Sequence, residues 1–161
     1  GGQGSLLAAI LKAYPGSQGV LLDQPHVVSG ADRILAKAGV RGRCEIIPGD
    51  MFESIPGGCD AYLMKYVLHD WDDRDVVRIL ANCRRDMPAA ATLLVIEQFL
   101  GPPNQDPIGK FGDLNMMVGT GGRERTREEL QALLFEAGFR IMEEIETQTP
   151  LSVTVAGKSR L

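Results

Sequence analysis

The sequence predicts an α/β fold: a mostly parallel sheet with helices on both faces and an antiparallel pair of strands at its C-terminal end. Short apolar runs alternate with amphipathic stretches over the first hundred residues, which is typical of βαβ units. The last two apolar runs lie close together in sequence, as expected for an antiparallel pair. With 161 residues, 44% hydrophobic and 24% charged, the composition is that of one globular domain.

The first part of the chain predicts two helices and two strands. Apolar side chains at helical spacing predict a first helix, ended by Pro15 and Gly16: Leu6, Leu7, Ile10, Leu11 and Tyr14. The run "GVLLD" predicts a short buried strand that ends at Asp23, and residues 25–38 predict a second helix. The run "RCEIIPGD" predicts the next strand.

The middle of the chain predicts a strand, a helix and another strand. "DAYLMKYVL" and "ATLLVIEQFL" are the two strands. Between them, Asp72 to Arg85 carries acidic residues in its first turn and arginines in its last, which suits both ends of the helix dipole. The predicted buried stripe of this helix is Val76, Leu80, Cys83 and Met87.

The loop "GPPNQDP", residues 101–107, separates the two halves of the chain. Beyond it, Thr126 and Glu129 have the spacing of a capping box, which predicts the start of a helix. This helix is expected to end at Gly138 and to bury Leu130, Leu133 and Leu134. "FRIMEEIE" and "LSVTVAG" are the closing strands.

Charge and composition exclude several classes of function. The formal net charge is −4 and no block of Lys or Arg is present, so neither a nucleic-acid partner nor a membrane surface is expected. Three widely spaced cysteines favour reduced thiols in a cytoplasmic protein over a disulfide framework. Neither His26 nor His69 has metal-ligand spacing with a cysteine or the other histidine, so no metal site is expected.

The opening "GGQGS" predicts a ligand-binding loop before a helix. Gly1, Gly2 and Gly4 leave backbone amides uncovered, which suits a carboxylate or a phosphate. Asp23, at the end of the next strand, can hold a ribose diol. Dinucleotide and S-adenosylmethionine sites share this pairing, but the third glycine of a dehydrogenase fingerprint would fall at Leu7 and is absent. A flexible terminus or a cloning remnant is the alternative interpretation of the loop.

The stretch "PGDMF" places two purine-binding candidates at the end of the following strand. The Asp50 carboxylate can accept a hydrogen bond from an exocyclic amine, and the Met51 thioether can pack on a ring. A turn with a methionine and a phenylalanine in the core is the other interpretation.

Taken together, "GGQG", "LLDQPHV", "GDMFESIP", "MKYVLHDWDD", "LLVIEQFL" and "GGRERTREEL" resemble the catalytic domain of small-molecule O-methyltransferases, the group of the caffeic acid, acetylserotonin and bacterial tailoring enzymes. The resemblance covers the whole chain. It implies a class I methyltransferase fold, S-adenosyl-L-methionine as the cofactor and no metal. It also implies a homodimer formed largely by an N-terminal helical domain, and a small hydroxylated acceptor that is aromatic or polyketide-like.

The resemblance also assigns roles to residues of this chain. The catalytic residues it implies are His69, Glu97 and Glu124. The cofactor-binding residues are Gly2, Gly4, Asp23, Asp50, Met51 and Lys65. The acceptor-binding residues are Asp70, Asn115 and Met116. Core packing is the alternative for Met116 and its neighbour Met117, a hydrogen-bonded surface residue for His69, and a solvated helix entry for Glu124.

The chemistry of these residue types fits methyl transfer. A sulfonium methyl is already activated, so an enzyme has to align the acceptor oxygen and remove its proton. A histidine with a pKa of about 6.5 can act as that base, and an acid on its other nitrogen fixes the tautomer. A nicotinamide-binding oxidoreductase and a non-catalytic cofactor-binding module are the rival functions.

Residues 1–161 are expected to be a fragment of that catalytic domain. In the family the first strand runs centrally and ends at the glycine loop, whereas here the loop opens the chain. The upstream strand and the dimerisation domain are therefore expected on a longer protein.

Overall fold

The computed structural model describes residues 1–105 and 107–159, and the chain divides into two compact units at Pro56 and Gly57. In the first unit the elements are α1 (Ser5–Ala13), β1 (Gly19–Asp23), α2 (Pro25–Val28), α3 (Ala31–Lys37) and β2 (Cys44–Pro48). β1 and β2 pair in parallel, and the last pair in register joins Asp23 to Pro48. Both strands therefore end at the same edge of their two-stranded sheet.

Helix α1 buries a narrower face than the sequence predicts. Ala8 and Leu11 are buried against the strands, with Leu7 packed beside them, while Leu6 and Tyr14 are exposed. Of the five apolar residues at helical spacing, Leu6 and Tyr14 therefore do not contribute to the core. Ala8 lies on the buried face of this helix. Because alanine contributes little to an apolar periodicity, the sequence pattern did not single out this position.

The predicted second helix over residues 25–38 is two helices. The hydroxyl of Ser29 donates a hydrogen bond of 2.8 Å to the carbonyl oxygen of His26, and Gly30 is the residue before α3. A serine hydroxyl that takes a backbone carbonyl competes with the helical hydrogen bond to that carbonyl. The chain therefore breaks between α2 and α3.

The second unit contains a four-stranded sheet and three helices among its described residues. Its elements are β3 (Ala61–Lys65), α4 (Asp73–Asp86), β4 (Thr92–Gln98), α5 (Pro107–Gly119), α6 (Arg127–Glu136), β5 (Phe139–Glu146) and β6 (Leu151–Lys158). The strand order is β3-β4-β6-β5, with β3 and β4 parallel and the other neighbours antiparallel. The predicted antiparallel C-terminal pair is confirmed.

Two helices of this unit begin as the sequence predicts. The Asp72 carboxylate caps α4 by accepting from the backbone N–H of Asp75 at 2.8 Å. Thr126 and Glu129 form the predicted capping box at the start of α6. The predicted apolar stripes of both helices are buried: Val76, Leu80 and Cys83 on α4 with Met87 at its C-cap, and Leu130, Leu133 and Leu134 on α6.

Strand β4 alternates between the two faces of the sheet. Leu93, Val95 and Glu97 are its buried positions. A carboxylate thus occupies the inward face of an otherwise apolar strand, and this position is typical of a functional group rather than a solvated charge.

Helix α5 follows a loop whose Asp106 lies outside the described residues. Sequence patterns assigned no element here, because Gly109 and Gly112 lie inside the helix and glycine disfavours helices. Met117 is 57% exposed on α5, so the alternative interpretation, that it packs in the core, is wrong. Across residues 1–105 and 107–159, no helix has the length and apolar character needed to cross a membrane.

Candidate active site

A short turn after β3 carries the predicted base. Tyr66 has a left-handed backbone with φ of 52°, and a single 3₁₀ turn, Leu68–Asp70, follows it. Leu68, the first residue of this turn, is buried, and the side chain of His69 is half-buried. The Tyr66 ring stacks on the imidazole with 5.0 Å between ring centroids.

Glu124 contacts the predicted base directly. Its Oε1 lies 3.0 Å from His69 Nδ1. An ionised carboxylate only accepts hydrogen bonds, so the contact places the imidazole proton on Nδ1 and leaves the Nε2 lone pair available. The backbone N–H of Glu124 donates to the Asp113 carboxylate on α5 at 2.9 Å, which fixes this acid in turn.

Glu97 supports the same turn from β4. Its Oε1 accepts hydrogen bonds from the backbone N–H groups of Val67 and Leu68, at 3.1 and 3.0 Å. Its Oε2 is buried and has no hydrogen-bond partner within the described part of the chain, and the same holds for Glu124 Oε2. Burial raises the pKa of Glu97 to about 7, against the lowering effects of His69 and the two backbone donors.

The pKa of His69 is raised above its ordinary value. Burial disfavours the imidazolium, but the hydrogen bond to Glu124 and the charges of Glu97, Glu124 and Asp70 outweigh that effect. The three acids therefore stabilise the protonated form that a base reaches after it has taken a proton.

Arg125 holds the turn in place from below. Its buried guanidinium donates to the carbonyl oxygens of Leu68 and Trp71, at 2.9 and 2.8 Å, and pairs with the Asp73 carboxylate at 2.8 Å. The backbone N–H of Arg123 also stabilises this turn, because it donates a hydrogen bond of 2.9 Å to the His69 carbonyl oxygen.

Gly122 allows that close approach of backbone to backbone. A Cβ at this position would overlap the carbonyl oxygen of His69. Two residues of the "GGRERT" run thus stabilise the turn in different ways. Gly122 leaves room for the His69 carbonyl, and Arg125 donates hydrogen bonds to the carbonyl oxygens of the turn.

These groups converge on one small pocket. It is lined by Leu68, His69, Glu97, Gln98, Phe99, Arg123, Glu124, Arg125 and Leu130. Of the twelve predicted site residues, the structure brings the three predicted catalytic ones together here.

The same three residues form a potential metal-ligand cluster. One ligand atom from each of His69, Glu97 and Glu124 lies within 4.8 Å of the others. Spacing between histidines and cysteines could not reveal this cluster, because two of its three members are glutamates. The absence of a metal from the reaction stays a prediction.

The predicted cofactor residues of the first unit lie around the ends of its strands. The Asp23 carboxylate accepts from the backbone N–H groups of Gly2 and Gln24, at 2.6 and 2.7 Å. Gly2 has a φ of 59°, and a Cβ there would meet no atom within 4 Å. Open space at a glycine beside an oriented carboxylate fits a ribose diol and its neighbouring groups.

Gly4 has a structural part in this loop. It caps α1 with a φ of 81°, and a Cβ would lie 3.0 Å from the Leu21 side chain. Asp50 follows β2, and its carboxylate accepts from the Phe52 N–H at 2.8 Å in a turn. Met51 next to it is half-buried.

The remaining predicted site residues lie in the second unit. Lys65 ends β3, and its Nζ lies 5.2 Å from the centre of the Tyr66 ring. An Asp70 oxygen lies 3.6 Å from His69 Nε2. On α5, Asn115 is exposed and Met116 is half-buried.

Sequence reasoning missed four residues that shape the pocket: Tyr66, Asp113, Gly122 and Arg125. Arg125 and Gly122 lie in the quoted "GGRERT" motif, so the motif carried their signal. Tyr66 matters through its left-handed backbone, and Asp113 through its hydrogen bond to Glu124, 11 residues further along the chain. A pattern of residue types reveals neither feature.

Comparison with known proteins places these observations in context. Residues 1–140 match the model of the O-methyltransferase domain family. Phenazine O-methyltransferase PhzM of Lysobacter antibioticus is 44% identical over 156 residues, which cover 96% of this chain and 46% of that protein.

Two solved structures are similar over nearly the whole chain. The mitomycin 7-O-methyltransferase MmcR has a TM-score of 0.95 at 42% identity, covering 99% of this chain and 47% of the other. The O-methyltransferase NcsB1, solved with S-adenosylmethionine and 2-hydroxy-5-methyl naphthoic acid, has a TM-score of 0.90 at 33% identity, covering 98% and 46%. The predicted class I methyltransferase fold is confirmed. The chain spans just under half the length of each of these relatives.

Proposed function

This chain belongs to the O-methyltransferase domain family, and from that premise we propose that it transfers a methyl group from S-adenosyl-L-methionine to a hydroxyl of a small aromatic or polyketide-like molecule. The observation that carries the proposal is the contact of 3.0 Å between His69 Nδ1 and Glu124 Oε1 inside a pocket. This arrangement orients a base and leaves its second nitrogen available for a hydroxyl proton.

His69 takes the acceptor proton on Nε2 as the oxygen attacks. Glu124 holds the ring and stabilises the imidazolium that results. Glu97 keeps the turn beneath the ring by its two backbone hydrogen bonds. Asp70, Asn115 and Met116 are proposed to contact the acceptor.

The cofactor supplies an electrophilic methyl group when bound. Gly2, Gly4 and Asp23 are proposed to hold its amino-acid and ribose portions, and Asp50 and Met51 its adenine. The open space at Gly2 and the pre-oriented Asp23 carboxylate support this assignment. Lys65 completes the proposed set.

Several broader properties follow from the family resemblance. We propose that the complete enzyme is a cytoplasmic homodimer with a small-molecule acceptor. NcsB1, solved with a hydroxylated naphthoic acid, is an example of a relative with such a ligand. The family match disfavours the nicotinamide-dependent oxidoreductase considered from the sequence alone.

A panel of phenols with methyl-labelled cofactor tests the proposal. We expect label to move to at least one phenol, and His69→Ala to lower that rate by about two to four orders of magnitude. Binding of S-adenosylhomocysteine should change by no more than a few-fold in the variant. Cofactor binding without transfer to any acceptor would instead favour the non-catalytic binding module.

A further inference from the structure

We propose that His69, Glu97 and Glu124 form a binding site for a transition-metal dication, for which Zn²⁺ is the probe, and that its occupation blocks the base. Glu97 and Glu124 are only 5% and 8% exposed, yet each has a buried oxygen with no hydrogen-bond partner in the described residues. A buried carboxylate oxygen without a partner is costly, and a cation would satisfy both. The inhibitory half of this inference rests on the proposed function, whereas metal binding does not.

The donor set and its spacing suit zinc. Imidazole nitrogens and carboxylate oxygens both bind zinc, and three protein ligands leave a fourth position open. Bonds of about 2.0–2.2 Å place ligand atoms about 3.3 Å apart around a tetrahedral ion. His69 Nδ1 and Glu124 Oε1 are already 3.0 Å apart, and one ligand atom from each of the three residues lies within 4.8 Å of the other two. Small side-chain rotations can therefore close the site.

Local charge favours a dication. Two acids face one imidazole, and when both are ionised the cluster holds more negative than positive charge in either state of the ring. A bound dication favours the ionised form of each acid. Arg123 and Arg125 also line the pocket, but Arg125 pairs with Asp73, and Arg123 pairs with Glu129. The guanidinium groups are thus committed to acids outside the cluster. Mg²⁺ is disfavoured because it prefers oxygen ligands and keeps its waters.

Zinc on Nδ1 would disable the base without covering Nε2. A neutral imidazole carries one proton and one lone pair. Coordination uses the Nδ1 lone pair, so the proton moves to Nε2, which then cannot accept a proton from the acceptor. Inhibition should therefore follow zinc occupancy.

Zinc binding is tested by competition with a chromophoric zinc chelator on metal-free protein, without cofactor or acceptor. All proteins carry Cys59→Ser, which removes a half-buried thiol that could bind zinc elsewhere. We expect one zinc per chain, with affinity weakened at least about tenfold in His69→Ala and in Glu97→Gln. The matched control Glu143→Gln, at an exposed acid, should bind as the parent does.

Thermal unfolding shows which variants are folded. If Glu97→Gln does not fold, the zinc affinity of His69→Ala alone tests the site. Equal zinc affinity in parent, His69→Ala and control, or no competition with the chelator at all, would overturn the site.

A second measurement tests the inhibition. Methyl transfer should fall in proportion to zinc occupancy and return when EDTA is added, while equal Mg²⁺ has no effect. Zinc bound at full occupancy with unchanged transfer would overturn the block, and so would EDTA inactivation reversed by Mg²⁺. If no acceptor is found, the proposed function fails while the chelator competition still decides the site.

Discussion

Glu124 is the residue whose effect on the base is most direct. It accepts the Nδ1 hydrogen bond and adds a negative charge, and both raise the pKa of His69. The sequence alone left Glu124 open to interpretation as part of a solvated helix entry, because its surroundings are charged. Its backbone N–H is held by the Asp113 carboxylate, which lies on a helix that the sequence pattern did not predict.

Glu124→Gln should move the acid limb of the pH–rate profile to lower pH. The base must be neutral to act, so activity falls as pH drops through the pKa of His69. Removing the charge lowers that pKa, and the variant should keep its fraction of neutral histidine to lower pH, though with a smaller maximal rate.

The measurement is kcat/KM against pH for wild type, Glu124→Gln and the exposed control Glu143→Gln. An acid limb at the same pH in all three would show that Glu124 does not act on the base.

Glu97 makes the stability of the fold depend on pH. Its pKa is about 7 in the folded protein and 4.5 ordinarily, so the folded state binds more protons between those values. Stability contributed by this group is therefore present below pH 4.5 and lost as pH rises through 7. At about 1.4 kcal/mol per pH unit, the loss reaches about 3 kcal/mol at pH 8.

Glu97→Gln removes this penalty. Denaturant unfolding at pH 5 and pH 8 should show wild type losing about 2–3 kcal/mol more than the variant over that interval, because part of the total loss has already occurred by pH 5. The difference between the two proteins reports Glu97 together with its effect on the pKa of His69, because the substitution leaves the other titrating groups in place. Parallel pH dependence would contradict the raised pKa.

At the scale of elements, most strands and the two capped helices could be predicted from the sequence. Their signals are local: apolar runs, the Asp72 cap and the capping box of Thr126 and Glu129. Helix α5 and the break after α2 could not. The first has glycines at helical positions, and the second depends on one serine hydroxyl.

The turn Leu68–Asp70 is an element whose geometry depends on one distant arginine. Arg125→Lys keeps the charge but loses the planar fork that reaches two carbonyls and the Asp73 carboxylate. Leaving a buried carbonyl unpaired should cost about 1–3 kcal/mol of stability. Displacement of the base should lower methyl transfer about a hundredfold.

Arg127→Lys is the matched control, since Arg127 pairs with Glu144 and Glu146 at the surface. Its loss of stability should stay below about 1 kcal/mol, with the rate unchanged. Urea unfolding and kcat measured on both variants test the comparison. Equal losses of stability and of kcat in the two variants would show that Arg125 does not stabilise the turn more than a surface arginine does.

At the scale of the whole molecule, the alternation of strands and helices was enough to predict the fold class. The division into two units was not predicted, because pairing between strands depends on which strands become neighbours rather than on the pattern inside each. The expectation of a missing central strand stays a prediction.

The two sheets should differ in local stability. β1 and β2 form a two-stranded sheet, and such sheets are marginal, whereas β4 is paired on both sides. Native-state hydrogen exchange of the 161-residue chain should find the β4 amides among the slowest and the β1 amides exchanging faster. Equal protection in β1 and β4 would contradict this difference.

Trp71 is the only tryptophan of the chain and follows the turn that carries His69. Its backbone carbonyl is held by the same arginine that holds the turn. Intrinsic fluorescence excited at the indole band therefore reports from a single place, next to the base, rather than as an average over the protein. Rapid-mixing experiments can use this emission as a label-free signal for ligand arrival, on the unmodified chain.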